Sequence, residues 1–163
     1  MIFRTFIGDD DTAIDEKGRT AFPKGFRAQL AENERENLVV SLGPEGCLWL
    51  YVYEEYEKFM AELDERAKTS PEQAKAINMV RSQMSSTLVS LDSQNRILIP
   101  KKLLEKASLT NSVHWVPARG KILALWNPAI FDAKFGIHTE EDKKAFDAAF
   151  FGFGLTGGTG GNN

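Results

Sequence analysis

A nine-residue pattern occurs twice in this chain, at residues 15–23 and again at residues 92–100. Each copy opens with Asp, carries Arg four residues later and closes with Pro, so that equivalent positions are 77 residues apart. Gly18 and Asn95 occupy the same place in the two copies, and Gly and Asn most readily adopt a positive φ. We therefore predict that each copy forms a strand, a tight turn and a second strand, within a duplicated structural unit.

The acidic and basic residues of the pattern have complementary roles in such a turn. Asp15 and Asp92 are placed to accept backbone N–H bonds across the turn, as in an Asx-turn. Arg19 and Arg96 follow the left-handed residue, which would aim their side chains outward. A single copy would favour a simpler interpretation, in which Asp and Arg pair to close the turn. Two copies with an equivalent turn residue favour a turn that presents Arg.

Hydrophobic periodicity predicts an α+β fold in which the two copies organise similar units. Pro23 and Pro100 suit the first position of a short helix after each pattern. Pairs of strands are predicted at residues 38–42 and 47–53 and again at residues 113–116 and 121–126. A helix over residues 54–68 precedes another that starts after Ser70 as its N-cap. This second helix is predicted to bury Ile77, Val80 and Met84.

These elements predict four segments along the chain. They are a first half at residues 1–69, a connecting helix at residues 70–86, a second half at residues 87–151 and a Gly-rich tail at residues 152–163. The connecting helix is too regular for a flexible linker. The tail cannot bury enough apolar surface to order a backbone so rich in Gly, so we predict that it is disordered.

The two patterns, D-x-K-G-R-x-x-x-P and D-x-Q-N-R-I-L-I-P, resemble those of the MraZ family of bacterial transcriptional regulators. Residues 6–8 and 14–15 also match the usual start of that family, and the resemblance extends from about residue 3 to about residue 150. Two ordered motifs at a constant separation are far more specific than one short pattern. The resemblance implies two AbrB-like half-domains in one chain, each a small β-rich, barrel-like unit of the double-psi or swapped-hairpin type with short helices.

Composition and cysteine content indicate the compartment. The hydrophobic fraction is 42% and the charged fraction 26%, as in soluble globular proteins. Arg4 and the acidic residues 9–11 interrupt any apolar region of the signal-peptide kind, and the longest apolar run, residues 47–53, is too short to span a bilayer. The single cysteine, Cys47, excludes an intrachain disulfide and favours a reducing compartment. We therefore predict a cytoplasmic protein.

The net charge of −3 and the pI near 5.5 do not by themselves indicate nucleic-acid binding. The charge is unevenly distributed, however. Residues 15–27 and residues 92–106 each contain four basic and two acidic side chains, which gives each segment a charge of +2. Local basic regions on an acidic protein remain compatible with DNA binding, because only the docking face must match the phosphates.

Residue patterns for catalysis or metal binding are absent from the sequence. His114 and His138 are the only histidines, and neither has a Cys or His at a metal-ligand spacing. No Ser or Cys nucleophile has a convincing partner. We predict a protein that is not an enzyme and that uses no metal, other cofactor or small-molecule substrate.

The family resemblance implies a function and identifies the residues that carry it. Proteins of this kind bind repeated short boxes in the double-stranded promoter DNA of their own operon, a cluster of cell-division and cell-wall genes. The motif arginine most closely tied to that binding corresponds to Arg19 and, in the second half, to Arg96. The family assembles into closed rings, so the resemblance implies a homo-oligomeric ring associated with the nucleoid.

Neighbouring residues would supplement the two arginines. A guanidinium can bind guanine O6 and N7 together, or a phosphate with two bonds. Lys17, Lys24 and Lys101 are better suited to phosphates, which hold the register without reading the sequence. Gln94 replaces the lysine of the first pattern and could bond a base edge, so we expect the second copy to contribute less affinity.

A second class of function stays open at this point. The same fold could serve as a protein–protein interaction or structural ring module in which the arginines are paired internally. An enzyme on a related pseudo-barrel has less support, because no set of acid, base and nucleophile is apparent.

Overall fold

The computed structural model of the chain describes residues 1–152. It consists of two compact units, of which the first comprises residues 1–128 and the second begins at Ala129. The tail that we predict to be disordered lies, from residue 153 onward, outside the described residues.

Pairs of strands are followed by one or two helices along the described part of the chain, in an α+β arrangement, as predicted. The strands are β1 (Asp10–Ala13), β2 (Arg19–Ala21), β3 (Leu38–Leu42), β4 (Leu48–Val52), β5 (Thr87–Val89), β6 (Arg96–Leu98), β7 (Ser112–Arg119) and β8 (Ile122–Trp126). The helices are α1 (Lys24–Arg27), α2 (Tyr53–Ala67), α3 (Pro71–Met84), α4 (Lys101–Lys106), α5 (Pro128–Phe135) and α6 (Glu140–Phe150).

Six of these strands form one antiparallel sheet in the order β1-β7-β8-β4-β3-β5. Strands β1, β3 and β4 belong to the first repeat, and β5, β7 and β8 are their equivalents in the second. When each strand is replaced by its equivalent, the same order is obtained, read from the opposite edge of the sheet. An approximate two-fold axis therefore passes between β4 and β8. Each repeat therefore adds its edge strand to the other repeat, β1 to β7 and β5 to β3. This exchange confirms the swapped-hairpin fold.

The remaining two strands, β2 and β6, form a separate antiparallel pair that we call the β2–β6 ribbon. Thr20 lies opposite Ile97, and these two residues are equivalent in the repeat, so the same two-fold axis passes through the centre of the ribbon. Both are buried, whereas their neighbours along each strand are partly or fully exposed. The ribbon therefore has one face in the core and one face toward solvent, as strand alternation requires.

The main hydrophobic core takes side chains from both repeats. Phe26 of α1 and Leu103 of α4 are equivalent in the repeat, and both are buried in it. Phe22 and Trp115 meet edge to face there, with ring centroids 5.3 Å apart. A single core shared by both repeats follows, and neither repeat buries its apolar face alone. The predicted division into two halves, with a connecting helix between residues 70 and 86, stays a prediction.

The long helices α2 and α3 pack on a second, smaller cluster that includes Tyr51, Ile77 and Met84. Ser70 Oγ accepts the Gln73 N–H at 3.1 Å and so caps α3, as predicted. The prediction that Val80 is inward is wrong, since this side chain is 40% exposed. Ile77 and Met84 lie almost in line along the helix, but Val80 is rotated roughly 60° from that line and so falls at the rim.

The two prolines that close the repeated pattern precede their helices, whereas we predicted that each would be the first helical residue. Pro23 and Pro100 are the N-caps of α1 and α4, with extended ψ values of 136° and 141°. Their carbonyls accept the Arg27 and Leu104 N–H groups at 2.9 and 3.1 Å. A residue whose carbonyl begins the helix but whose ψ is extended is a cap and not the first helical residue.

A buried lysine, Lys121, ties the amino-terminal segment to the body of the first unit. Its Nζ donates to the Gln29 carbonyl at 2.8 Å and to Glu34 Oε1 at 2.9 Å, and it lies 5.1 Å from the centroid of the Phe6 ring. Burial of an ammonium is tolerated when it is paired and hydrogen-bonded in this way. Among residues 1–152, no helix is long and apolar enough to cross a membrane.

Candidate nucleic-acid interface

The turn of the first repeat is built around one carboxylate. Asp15 Oδ1 accepts the backbone N–H groups of Lys17 and Arg19 at 2.9 and 2.8 Å. The Asp15 N–H donates to the Arg19 carbonyl at 2.9 Å, and Gly18 between them has a φ of 88°. This is an Asx-turn that leads directly into the first residue of β2.

The turn of the second repeat has the same geometry. Asp92 Oδ1 accepts the N–H groups of Gln94 and Arg96 at 2.8 and 2.9 Å. The Asp92 N–H donates to the Arg96 carbonyl at 2.9 Å, and Asn95 has a φ of 60°. Two sequences that share few side chains thus form the same turn, because Asp and a residue tolerant of positive φ occur at the same spacing.

Backbone hydrogen bonds join the two turns through the β2–β6 ribbon. The Gly18 carbonyl accepts the Ile99 N–H at 3.0 Å, and the Asn95 carbonyl accepts the Phe22 N–H at 2.9 Å. The two bonds are equivalent under the two-fold axis. Each turn is therefore hydrogen-bonded to the chain of the other repeat, so the positions of the two arginines are coupled through the ribbon.

Each arginine is also paired with the carboxylate of its own turn. Arg19 Nε donates to Asp15 Oδ2 at 2.7 Å, and Arg96 Nε donates to Asp92 Oδ2 at 2.9 Å. The pairing that a single copy would have favoured is thus present in both turns. It uses Nε only, and the two arginine side chains stay 34% and 28% exposed. The pairs therefore orient each guanidinium without using the two terminal nitrogens that form its fork.

Hydrogen bonding also lowers the pKa of the two aspartates. The Arg19 backbone N–H, together with the Arg19 side chain and the Lys17 N–H, lowers the pKa of Asp15 below its ordinary value. The Arg96 N–H lowers the pKa of Asp92 in the same way. An aspartate is ionised at neutral pH even at its ordinary pKa, so each pair with arginine is an ion pair, and the lowered pKa keeps it one at more acidic pH.

The register of the ribbon places both arginines on its solvent-facing side. Arg19 lies opposite Leu98, and Arg96 lies opposite Ala21, so the two arginines occupy diagonal positions. Diagonal positions of an antiparallel pair are roughly 7–8 Å apart. The arginines therefore lie side by side on one exposed face.

The other candidate residues surround this face, but in an exchanged arrangement. Lys17 and Gln94 are exposed in their own turns, and Lys24 and Lys101 are exposed at the starts of α1 and α4. Because β2 and β6 are antiparallel, α4 follows the strand end that is bonded to Gly18, while α1 follows the end bonded to Asn95. Lys101 therefore belongs with the first turn and Lys24 with the second, a grouping that sequence order did not indicate.

Sequence reasoning missed Leu98, which is an exposed position on the ribbon. Leu98 is 56% exposed and lies directly across from Arg19. Alternation along β6 places Leu98 and Ile97 on opposite faces, and the packing of the core decides that Ile97 is the buried one.

Other chemistry receives no support from the described residues. They contain no group of three or more His, Cys, Asp or Glu side chains that could hold a metal ion. Cys47 is buried, and burial raises the pKa of its thiol to about 12, so this thiol is not a reactive one. The interface built on the two turns is thus the best-defined candidate site in residues 1–152.

The fold and this site define a class of protein: a duplicated swapped-hairpin domain that presents one arginine per repeat on a shared face. The family model described as "MraZ protein, putative antitoxin-like" matches residues 5–78 and 84–151. The chain belongs to the MraZ family, which confirms the resemblance seen in the two patterns.

Curated relatives named "Transcriptional regulator MraZ" are similar to most of the chain. The relative from Lachnoclostridium phytofermentans is 34% identical over 123 residues, which cover 75% of this chain and 81% of that protein. The relative from Treponema denticola is 32% identical over 74% of this chain and 80% of its own length. The relative from Methylococcus capsulatus is 31% identical over 78% and 82%, respectively.

Proposed function

We propose that this protein is a sequence-specific, double-stranded-DNA-binding transcriptional regulator that is not an enzyme. It acts on repeated boxes in the promoter of its own operon of cell-division and cell-wall genes, and so works on the nucleoid. The observation that carries the proposal is the placement of Arg19 and Arg96 side by side on the exposed face of the β2–β6 ribbon. Membership of a family whose curated members are named transcriptional regulators supports it.

The ribbon has the shape that this function needs. The major groove of B-DNA admits a two-stranded β-ribbon, and its base edges carry the sequence. The Asp15 and Asp92 carboxylates hold each guanidinium through Nε, so the two terminal nitrogens are not used by the pair. A guanidinium aimed in advance loses less conformational entropy when it binds guanine O6 and N7, and such a bidentate contact contributes about 1–3 kcal/mol of discrimination.

The two ends of the ribbon carry different charges. The end with Arg19 has Lys17 in its turn and Lys101 at the start of the adjacent helix, whereas the end with Arg96 has Gln94 and Lys24. Lysines at these exposed positions neutralise phosphates, and Gln94 bonds a base edge. We therefore propose that the Arg19 end contributes more of the affinity.

Assembly into a homo-oligomeric ring would compensate for the acidic net charge. Neighbouring subunits in a ring engage successive boxes, and each further contact is made at a high effective concentration. Weak contacts by single subunits then combine into firm binding to a promoter with repeated boxes, and into weaker binding to DNA that offers a single box.

The decisive experiment is footprinting of the protein on the DNA upstream of its own gene. Wild-type protein is expected to protect repeated short segments, and Arg19→Ala is expected to abolish protection at the same protein concentration. A wild-type protein that protects no segment would overturn the proposal.

The ion pairs of both arginines favour a second candidate, a protein–protein interaction or structural ring module. In that case the pairs of Arg19 with Asp15 and of Arg96 with Asp92 close the turns and have no further role. A gel-shift assay with the upstream fragment separates the two candidates, because the module would assemble without retarding the DNA.

A further inference from the structure

The solvent-facing side of the β2–β6 ribbon carries an apolar residue beside each arginine. Leu98 lies directly opposite Arg19, and Ala21 lies directly opposite Arg96. Leu98 and Ala21 are equivalent under the two-fold axis, so the two ends of the face differ here only in the length of an apolar side chain. The Leu98 side chain has three more carbons than that of Ala21, and it is nevertheless 56% exposed.

We propose that Leu98 is a specificity-determining residue that contacts the C5-methyl group of a thymine next to the base read by Arg19. This inference rests on the proposed function. Among the groups on the base edges of the major groove, the thymine methyl is the apolar one, and the others are hydrogen-bond donors and acceptors. An exposed leucine that enters the groove gains from covering a methyl group and loses where it covers an unpaired polar group.

The geometry of the ribbon explains why the contact falls at one end only. Directly opposed residues of an antiparallel pair have Cβ atoms about 4.5–5.5 Å apart, so Arg19 and Leu98 reach the same base pair or adjacent ones. The Asp15 carboxylate holds the Arg19 guanidinium at Nε, which keeps the base contact and the apolar contact in a constant relation. Ala21 ends at its Cβ and does not extend as far as the longer arginine beside it.

The test compares thymine with uracil, two bases that differ only in this methyl group. Single thymines in the footprinted upstream fragment are replaced in turn by deoxyuridine, and the affinity of each fragment is measured for wild type, Leu98→Ala and Leu98→Met. Leu98→Ala gives each arginine an alanine as its opposed residue, and Leu98→Met keeps an apolar side chain of similar length. Both substitutions are at an exposed position, and thermal unfolding confirms that the variants are equally folded.

Wild type and Leu98→Met are expected to lose about three- to fivefold in affinity at one thymine position, as for one buried methyl group, while Leu98→Ala shows no such loss there. Equal thymine-to-uracil ratios for wild type and Leu98→Ala at every position would overturn the inference, and the proposed function would stand because the fragment is still bound. Failure of the wild type to bind the fragment would overturn both.

Discussion

The substitution Gly18→Ala, which adds one methyl group, tests whether the stability of the protein depends on the left-handed turn at Gly18 and on its close packing against the other repeat. The φ of Gly18 is +88°, and a Cβ there would lie 2.8 Å from the Ile99 carbonyl oxygen and 3.2 Å from Leu104 Cδ1. Ile99 also donates its N–H to the Gly18 carbonyl, so the clash falls on the strand that joins both turns. Gly18→Ala is therefore expected to disturb the turn and the ribbon together.

The magnitude follows from these two effects. A left-handed backbone costs a residue that bears a Cβ about 1–2 kcal/mol, and the contact with the Ile99 oxygen adds to this cost. For a protein of this size, 1–2 kcal/mol lowers the melting temperature by about 2–8 °C. Gly25→Ala is the matched control, because a Cβ at Gly25 meets nothing within 4 Å and α1 gains about 0.5–1 kcal/mol from the exchange.

Urea and thermal unfolding of the two variants provide the measurement. Gly18→Asn refines it, since Asn95 adopts a φ of 60° at the equivalent place. Asn relieves part of the backbone cost but keeps the Cβ contact, so its stability should lie between wild type and Gly18→Ala. A Gly18→Ala protein as stable as Gly25→Ala would refute the reasoning, because neither the left-handed turn nor the close approach would then matter.

Three further outcomes are expected. Arg19→Ala should weaken binding of the upstream DNA fragment more than Arg96→Ala, because Lys17 and Lys101 lie at the Arg19 end; equal losses in a titration would reject the asymmetry. Affinity should fall with salt, with log K decreasing by about 0.9 per log unit of salt for each phosphate neutralised, and a level response would contradict docking on the backbone. Since hydrogen bonds lower the pKa of Asp15 and Asp92 in the folded state, their contribution to stability is present above about pH 4 and is lost as the pH falls through the lowered values. The unfolding free energy of wild type should therefore drop more steeply below pH 4 than that of Asp15→Asn/Asp92→Asn, which keeps the turn acceptors but cannot titrate there.

The turns were open to prediction because their causes are local. A carboxylate two and four residues before the N–H groups it accepts, and a residue tolerant of positive φ between them, lie within one short window at residues 15–19 and again at residues 92–96. Hydrophobic periodicity located α2 and α3 for the same reason. The prediction for Val80 was wrong because the sequence shows which side chains of a helix are apolar. It does not show how much of that apolar stripe the neighbouring elements cover.

Relations between distant parts of the chain were less accessible. The grouping of Lys101 with the first turn depends on the antiparallel pairing of β2 with β6, two strands separated by some 75 residues. The exposure of Leu98 depends on which face of that pair the core covers. Neither follows from local propensity, because strand partners are chosen by the burial of the whole core.

The amino-acid order by itself determined the two Asx-turns, the arginine that follows each and the duplicated plan, since bonds and sterics within a few residues suffice for these. Tertiary structure alone decided that the repeats exchange their hairpins and that both arginines share one exposed face. These depend on contacts between residues far apart in sequence, which form only when both repeats bury their apolar faces in one core.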